Sequence, residues 1–134
     1  MLHLESAGSQ APVSFTIYMN IIEHTDEAIL DLAHPMWCEL LKYSNQGQYG
    51  KFIRKFSYDL LLGLNEIEVG KQFANSELTR SLRKEWDYLG IIRRGQHVTV
   101  LYRVQSTKKA GEWLGRLVLG YEQGEVRIFA ASIF

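Results

Sequence analysis

The chain has 134 residues, with fifteen Lys and Arg against fifteen Asp and Glu, 46% hydrophobic residues and 12% aromatic ones. This is enough apolar material for one domain with its own core, and it argues against global disorder. A net charge of zero gives no bulk attraction to nucleic acid or to an anionic membrane, so neither partner is expected.

Cys38 is the single cysteine, which excludes an internal disulfide and suits a reducing compartment; a cytoplasmic location is expected. No basic flank followed by an apolar run opens the sequence, and no apolar stretch approaches the roughly 20 residues of a membrane span.

Residues 1–12 mix Ser, Gly, Gln and Ala without a period and read as a loose terminus. Residues 13–19 (VSFTIYM) alternate in β-branched and aromatic types, which predicts an extra N-terminal strand. Thr25 or Asp26 then caps a long helix whose face is Ile29, Ala33, Met36, Leu40 and Tyr43. Pro35 predicts a kink or a fresh start within it, and residues 44–47 (SNQG) end it. A short second helix groups Tyr49, Phe52, Ile53 and Phe56, and Asn65 with Glu68 resembles a capping box for a third segment. Ser76 can cap a further helix with Leu78, Leu82, Trp86 and Leu89 as its stripe and Gly90 as a left-handed stop.

Strands follow over 97–104, 113–121 and 126–133, the last two joined at Gln123-Gly124. Symmetric closure pairs Tyr121 with Val126, Leu119 with Ile128 and Leu117 with Ala130 on a core face. It sets Val118 against Phe129 and Leu114 against Ile133 on the other, and Glu122 against Glu125. The expected class is α+β, with N-terminal helices packed on an antiparallel sheet as one domain over 1–134.

His3, His24, His34 and His97 have no metal-ligand spacing, and neither metal nor cofactor is expected. Cys38, beside Trp37 in a helix, reads as a small buried thiol, and no nucleophile elbow occurs. For proton transfer the available groups are Asp59, Asp87, Tyr58, His97 and Tyr102, of which Asp59, His97 and Tyr102 are the candidates. Their ordinary roles are a solvated helix end for Asp59 and a core aromatic for Tyr102. Trp37, Tyr49, Trp86, Tyr102 and Trp113 can line a pocket for a small apolar ligand, although such spacing also describes core. Arg80, Arg83, Lys84, Arg93 and Arg94 alternate with Glu77, Glu85 and Asp87 and read as a salt-bridged surface. Leu101, Leu114, Val118, Phe129 and Ile133 form an apolar strip on the sheet face away from the helices, which predicts a homodimer or protein-partner interface.

The long helix ending before residues 47–52 (GQYGKF), the Phe56-Ser57 step, the Leu89-Gly90 stop and the three closing strands carry a family likeness. Over about 28–134 the chain resembles the nuclear-transport-factor-like (cystatin-like cone) superfamily, specifically its small bacterial members. The resemblance implies a curved sheet wrapped round the long helix, with a conical pocket. It implies either a non-catalytic binding module or a cofactor-free isomerase, dehydratase or hydrolase with its acid–base group inside the cone. The first is the expectation here: an interaction protein, one version of which is a bacterial immunity or accessory protein occupying a partner's active site.

Overall fold

Helix α1 (Asp26–Gln46) begins and ends on local chemistry. The Thr25 hydroxyl accepts from the Ala28 N–H, Asp26 and Glu27 occupy the positive end, and Gly47, at φ 67°, closes the last turn. The computed structural model describes residues 3–5 and 20–134. The predicted strand at 13–19 lies outside the described residues. Pro35 neither splits nor restarts α1: it sits on the exposed side, where water can reach the carbonyl that loses its donor.

Three short helices follow: α2 (Tyr49–Phe52), α3 (Tyr58–Gly63) and α4 (Glu66–Ala74). Buried Ser57 caps α3 by accepting from the Leu60 N–H, and Asn65 caps α4 by accepting from the Glu68 N–H. The capping box is half-made, because the Glu68 carboxylate turns to Lys71. Among the described residues no helix is long and apolar enough to cross a membrane.

The predicted helix through Leu82 and Trp86 is a strand. A 3-10 turn, Leu78–Arg80, leads into β2 (Leu82–Arg94), which hairpins through Gly95 onto β3 (His97–Ser106). The four-residue steps from Leu78 to Leu82 and Trp86 are even, so they fit one face of a strand as well as a helix. The odd step on to Leu89, which favoured the helix, coincides with a register shift between Tyr88 and Gly90. Asn45 at the end of α1 fixes where the strand begins: its amide donates to the Leu82 carbonyl (2.7 Å) and its oxygen accepts from the Leu82 N–H (2.9 Å).

Strands β4 (Glu112–Glu122) and β5 (Glu125–Ile133) complete a four-stranded antiparallel meander, extended by the short β1 (His3–Glu5) in the order β1-β5-β4-β3-β2. The loose terminus expected over 1–12 thus contributes a paired segment at 3–5, with Leu4 fully buried. The β4–β5 register follows the expected pairs from Glu122/Glu125 to Leu119/Ile128, then shifts. Beyond that point Val118 faces Ala130, Leu117 faces Ala131 and Gly115 faces Ile133, one residue later than symmetric closure predicts. The same stretch of β5 holds the chain after α2, since the Ser57 N–H donates to the Ile128 carbonyl and the Ile128 N–H to the Lys55 carbonyl, both at 2.8 Å.

One face of the sheet packs on α1 and the short helices. Val98, Val100, Tyr102, Val104, Leu117, Leu119, Ile128, Ala131 and Ile133 meet Ile29, Ala33, Trp37, Leu40 and Phe73 there. Arg93 ties the start of α1 to β2, donating to the Ile22 and His24 carbonyls and pairing with Asp26.

Candidate functional site

The helix-covered face of the sheet is filled by side chains. Trp37 of α1 lies flat on Tyr102 of β3, with centroids 4.7 Å apart and planes within 4°. Trp86 of β2 meets Tyr102 edge-on at 5.0 Å, so three of the five aromatics proposed to line a pocket pack on one another instead. Tyr49 packs edge-on against Phe73, and Trp113 stands apart, half-buried at the start of β4. The cavity bounded by Trp37, Leu41, Phe52 and Phe73 measures about 20 Å³, room for about one water.

The three groups considered for proton transfer are not brought together. Tyr102 is fully buried in the core, and burial holds its phenol far above the usual range. Asp59 lies in the first turn of α3. His97 stands on the opposite sheet face, edge-on to Phe129 at 4.7 Å.

Tyr102 pairs instead with His34, a residue considered above only as a metal ligand: Nδ1 and the phenol oxygen are 2.9 Å apart. With Tyr102 as donor no buried hydroxyl proton is left over, and the proton of the neutral ring rests on Nε2. His34 also contacts Trp86 (4.8 Å) and Tyr88 (5.8 Å). The available signal was its place on the flank of the apolar stripe, four residues after Leu30 and three before Trp37. One turn later Cys38 is exposed, not buried as expected, because Ala33, Trp37 and Leu40 take the inward positions.

Burial lowers the pKa of His34, with Asp31 pulling the other way, and burial likewise lowers that of His97. Between 6.5 and these lowered values the unfolded chain binds protons that the folded chain refuses. Stability therefore falls as pH falls through that window and is retained above it. Thermal melts from about pH 7.5 to about pH 5 are expected to show a falling Tm, with a shallower slope in His34→Gln and His97→Gln; parallel slopes would contradict the assignment.

The outer sheet face carries the other candidate set. Leu101, Leu114 and Val118 lie on it as expected, joined by Ile92 (50% exposed) from β2; Leu114 is 38% exposed, and Leu89, also exposed, falls in the register shift between Tyr88 and Gly90. Phe129 is on this face but buried against His97. Ile133 is not on it: the register shift in β5 turns its side chain into the core. Charged residues stand among the apolar side chains of this face: Arg103 is directly opposite Leu114 and pairs with Asp87 (3.4 Å) and Glu112 (3.6 Å), and Arg116 is directly opposite Leu101. Among the described residues no three His, Cys, Asp or Glu side chains converge as a metal site requires.

Comparison with family models, curated proteins and solved structures finds no match to this chain.

Proposed function

We propose that the protein is a non-enzymatic interaction module of the cone type, which pairs with another protein chain, in the first instance a second copy, through its outer sheet face. The observation that carries this reading is the set of apolar side chains Ile92, Leu101, Leu114 and Val118 on the face opposite the helices, where they are interspersed with Thr99, Arg103 and Arg116. Antiparallel sheets commonly turn one polar face to water, and an apolar row there gains free energy only when covered. The ion pairs of Arg103, directly opposite Leu114, would be the polar contacts of such an interface. The alternative, a cofactor-free isomerase, dehydratase or hydrolase working inside the cone, needs room beneath α1 that a cavity of about 20 Å³ does not provide. An immunity or accessory protein is the form this reading takes if the partner is a different chain, and exposed Cys38 suits a reducing cytoplasm.

The test is sedimentation of the wild type and of an Ile92→Asp/Leu114→Asp variant. Both side chains are exposed, so the variant is expected to keep its circular dichroism and melting temperature. The wild type is expected to sediment as a dimer at micromolar concentration and the variant as a monomer. A wild type that stays monomeric removes self-pairing, and a variant that still dimerises removes this face.

A further inference from the structure

A cleft of about 220 Å³ opens between the α4–β2 connection and the β3–β4 turn, lined by Asn75, Ser76, Glu77, Leu78, Lys109 and Trp113. It lies apart from the Leu101–Leu114 strip and from the His34–Tyr102 pair. Its volume matches about seven waters at ~30 Å³ each, so it suits a molecule smaller than an ordinary drug-sized ligand. Two features of its lining bear on what that molecule is.

The first is charge. The Glu77 carboxylate and the Lys109 ammonium belong to the two segments on either side, and among the described residues neither makes an ion pair. Nearby, Arg103 pairs with Asp87 and Glu112, and Arg83 bonds Gln105, while Lys84, Glu85 and Lys108, like Glu77 and Lys109, make no ion pair among the described residues. Two opposite charges, both lining one cleft and not joined to each other, complement a ligand that carries both signs. The second is the apolar surface between them. Trp113 gives an indole and Leu78 a buried aliphatic side chain, so one flank of the ligand can be hydrocarbon. The two segments are joined to each other nearby: the Thr107 N–H donates to the Ser81 carbonyl (2.8 Å) and Ser106 bonds Ser81 (2.9 Å).

We infer that this cleft binds a small zwitterion of the α-amino-acid type with an apolar side chain. Glu77 receives the ammonium, Lys109 the carboxylate, and Trp113 with Leu78 the side chain. A neutral apolar molecule leaves both charges unused, and a simple anion or cation uses one.

L-leucine is the probe, followed in ¹H–¹⁵N spectra of the full chain, where the Trp113 indole N–H is identified from a Trp113→Phe spectrum. Saturable shifts of that resonance and of the Glu77 and Lys109 amides are expected in the millimolar range. 4-Methylpentanoate, which lacks the ammonium, and 3-methylbutylamine, which lacks the carboxylate, are each expected to bind about tenfold more weakly, as loss of one charge-assisted contact implies. Glu77→Gln and Lys109→Ala alter exposed side chains and are expected to weaken L-leucine by a similar factor without moving the melting temperature. The inference is overturned by shifts that do not saturate, by equal affinity for all three probes, or by variants that bind like the wild type. It is independent of the dimer test, because the Ile92→Asp/Leu114→Asp variant keeps the whole cleft.

Discussion

Trp37→Ala is expected to lower the unfolding free energy by about 3 kcal/mol and the melting temperature by about 10 °C. The indole is 2% exposed, stacked on Tyr102, and borders the cavity of about 20 Å³ beneath α1. Truncation removes that stacking and enlarges a void that fixed strands on one side and α1 on the other cannot collapse; a buried Trp→Ala change costs ~3–5 kcal/mol by these terms. One term opposes it. The Trp37 Nε1–H is buried and finds no acceptor among the described residues, and removing an unsatisfied donor returns about 1 kcal/mol. Trp37→Phe separates the two, since it keeps a ring on Tyr102 and deletes the donor. Urea unfolding is expected to place Trp37→Phe within about 1 kcal/mol of the wild type and Trp37→Ala far below it. Equal losses would mean that the N–H, not the ring, is what the core depends on.

The filled interior and the apolar exterior have one cause. Strands β3 and β4 alternate strictly, so every residue turned to α1 leaves its neighbours on the outer face. In β3 the inward set is Val98, Val100, Tyr102 and Val104, and the outward set is Thr99, Leu101 and Arg103. A polar outer set would have made a solvated sheet. Leu101, Val118 and Leu114, with Ile92 of β2, instead place hydrocarbon on neighbouring strands in alternation with Thr99, Arg103 and Arg116. Catalysis beneath α1 would ask the inward set to leave space, and Trp37 on Tyr102 occupies it.

The helix caps were legible because each is a local event: Thr25, Asn65 and Gly47 act on backbone groups within a few residues. Strands β3 to β5 were legible from alternation, and the turn at Gln123-Gly124 fixed their first four pairs. What failed depends on partners distant in sequence. Leu82 begins a strand because Asn45, far earlier in the chain, grips its backbone. Gly95, at φ 65°, allows the tight hairpin that turns β2 onto β3, a signal that the reading of Gly90 as a helix stop hides. Ile133 was misplaced by the one-residue register shift in β5, since a shift of one reverses every side chain after it. His34 was missed because a lone histidine on a helix flank becomes notable only once Tyr102 stands beside it.

Gly115→Ala is the sharper test of how closely α1 and the sheet meet. A Cβ at Gly115 would lie 2.4 Å from Cζ2 and 2.7 Å from Cη2 of Trp37, far inside van der Waals contact. The indole cannot swing away, because Tyr102 holds one of its faces. Without that clash the change would be neutral or favourable by about 0.5–1 kcal/mol, since Gly costs more backbone entropy in a strand than Ala does. The expected sign is the opposite: a loss of about 2–3 kcal/mol from overpacking, read by urea unfolding. In a Trp37→Phe background the smaller ring lacks the two indole atoms that the methyl meets, so the same substitution is expected to cost less by about 1–2 kcal/mol, a coupling suited to a double-mutant cycle. An equal loss in both backgrounds would trace the effect to the strand itself. A loss confined to the Trp37 background would fix the spacing between α1 and β4 as the reason a glycine stands in the middle of a buried strand.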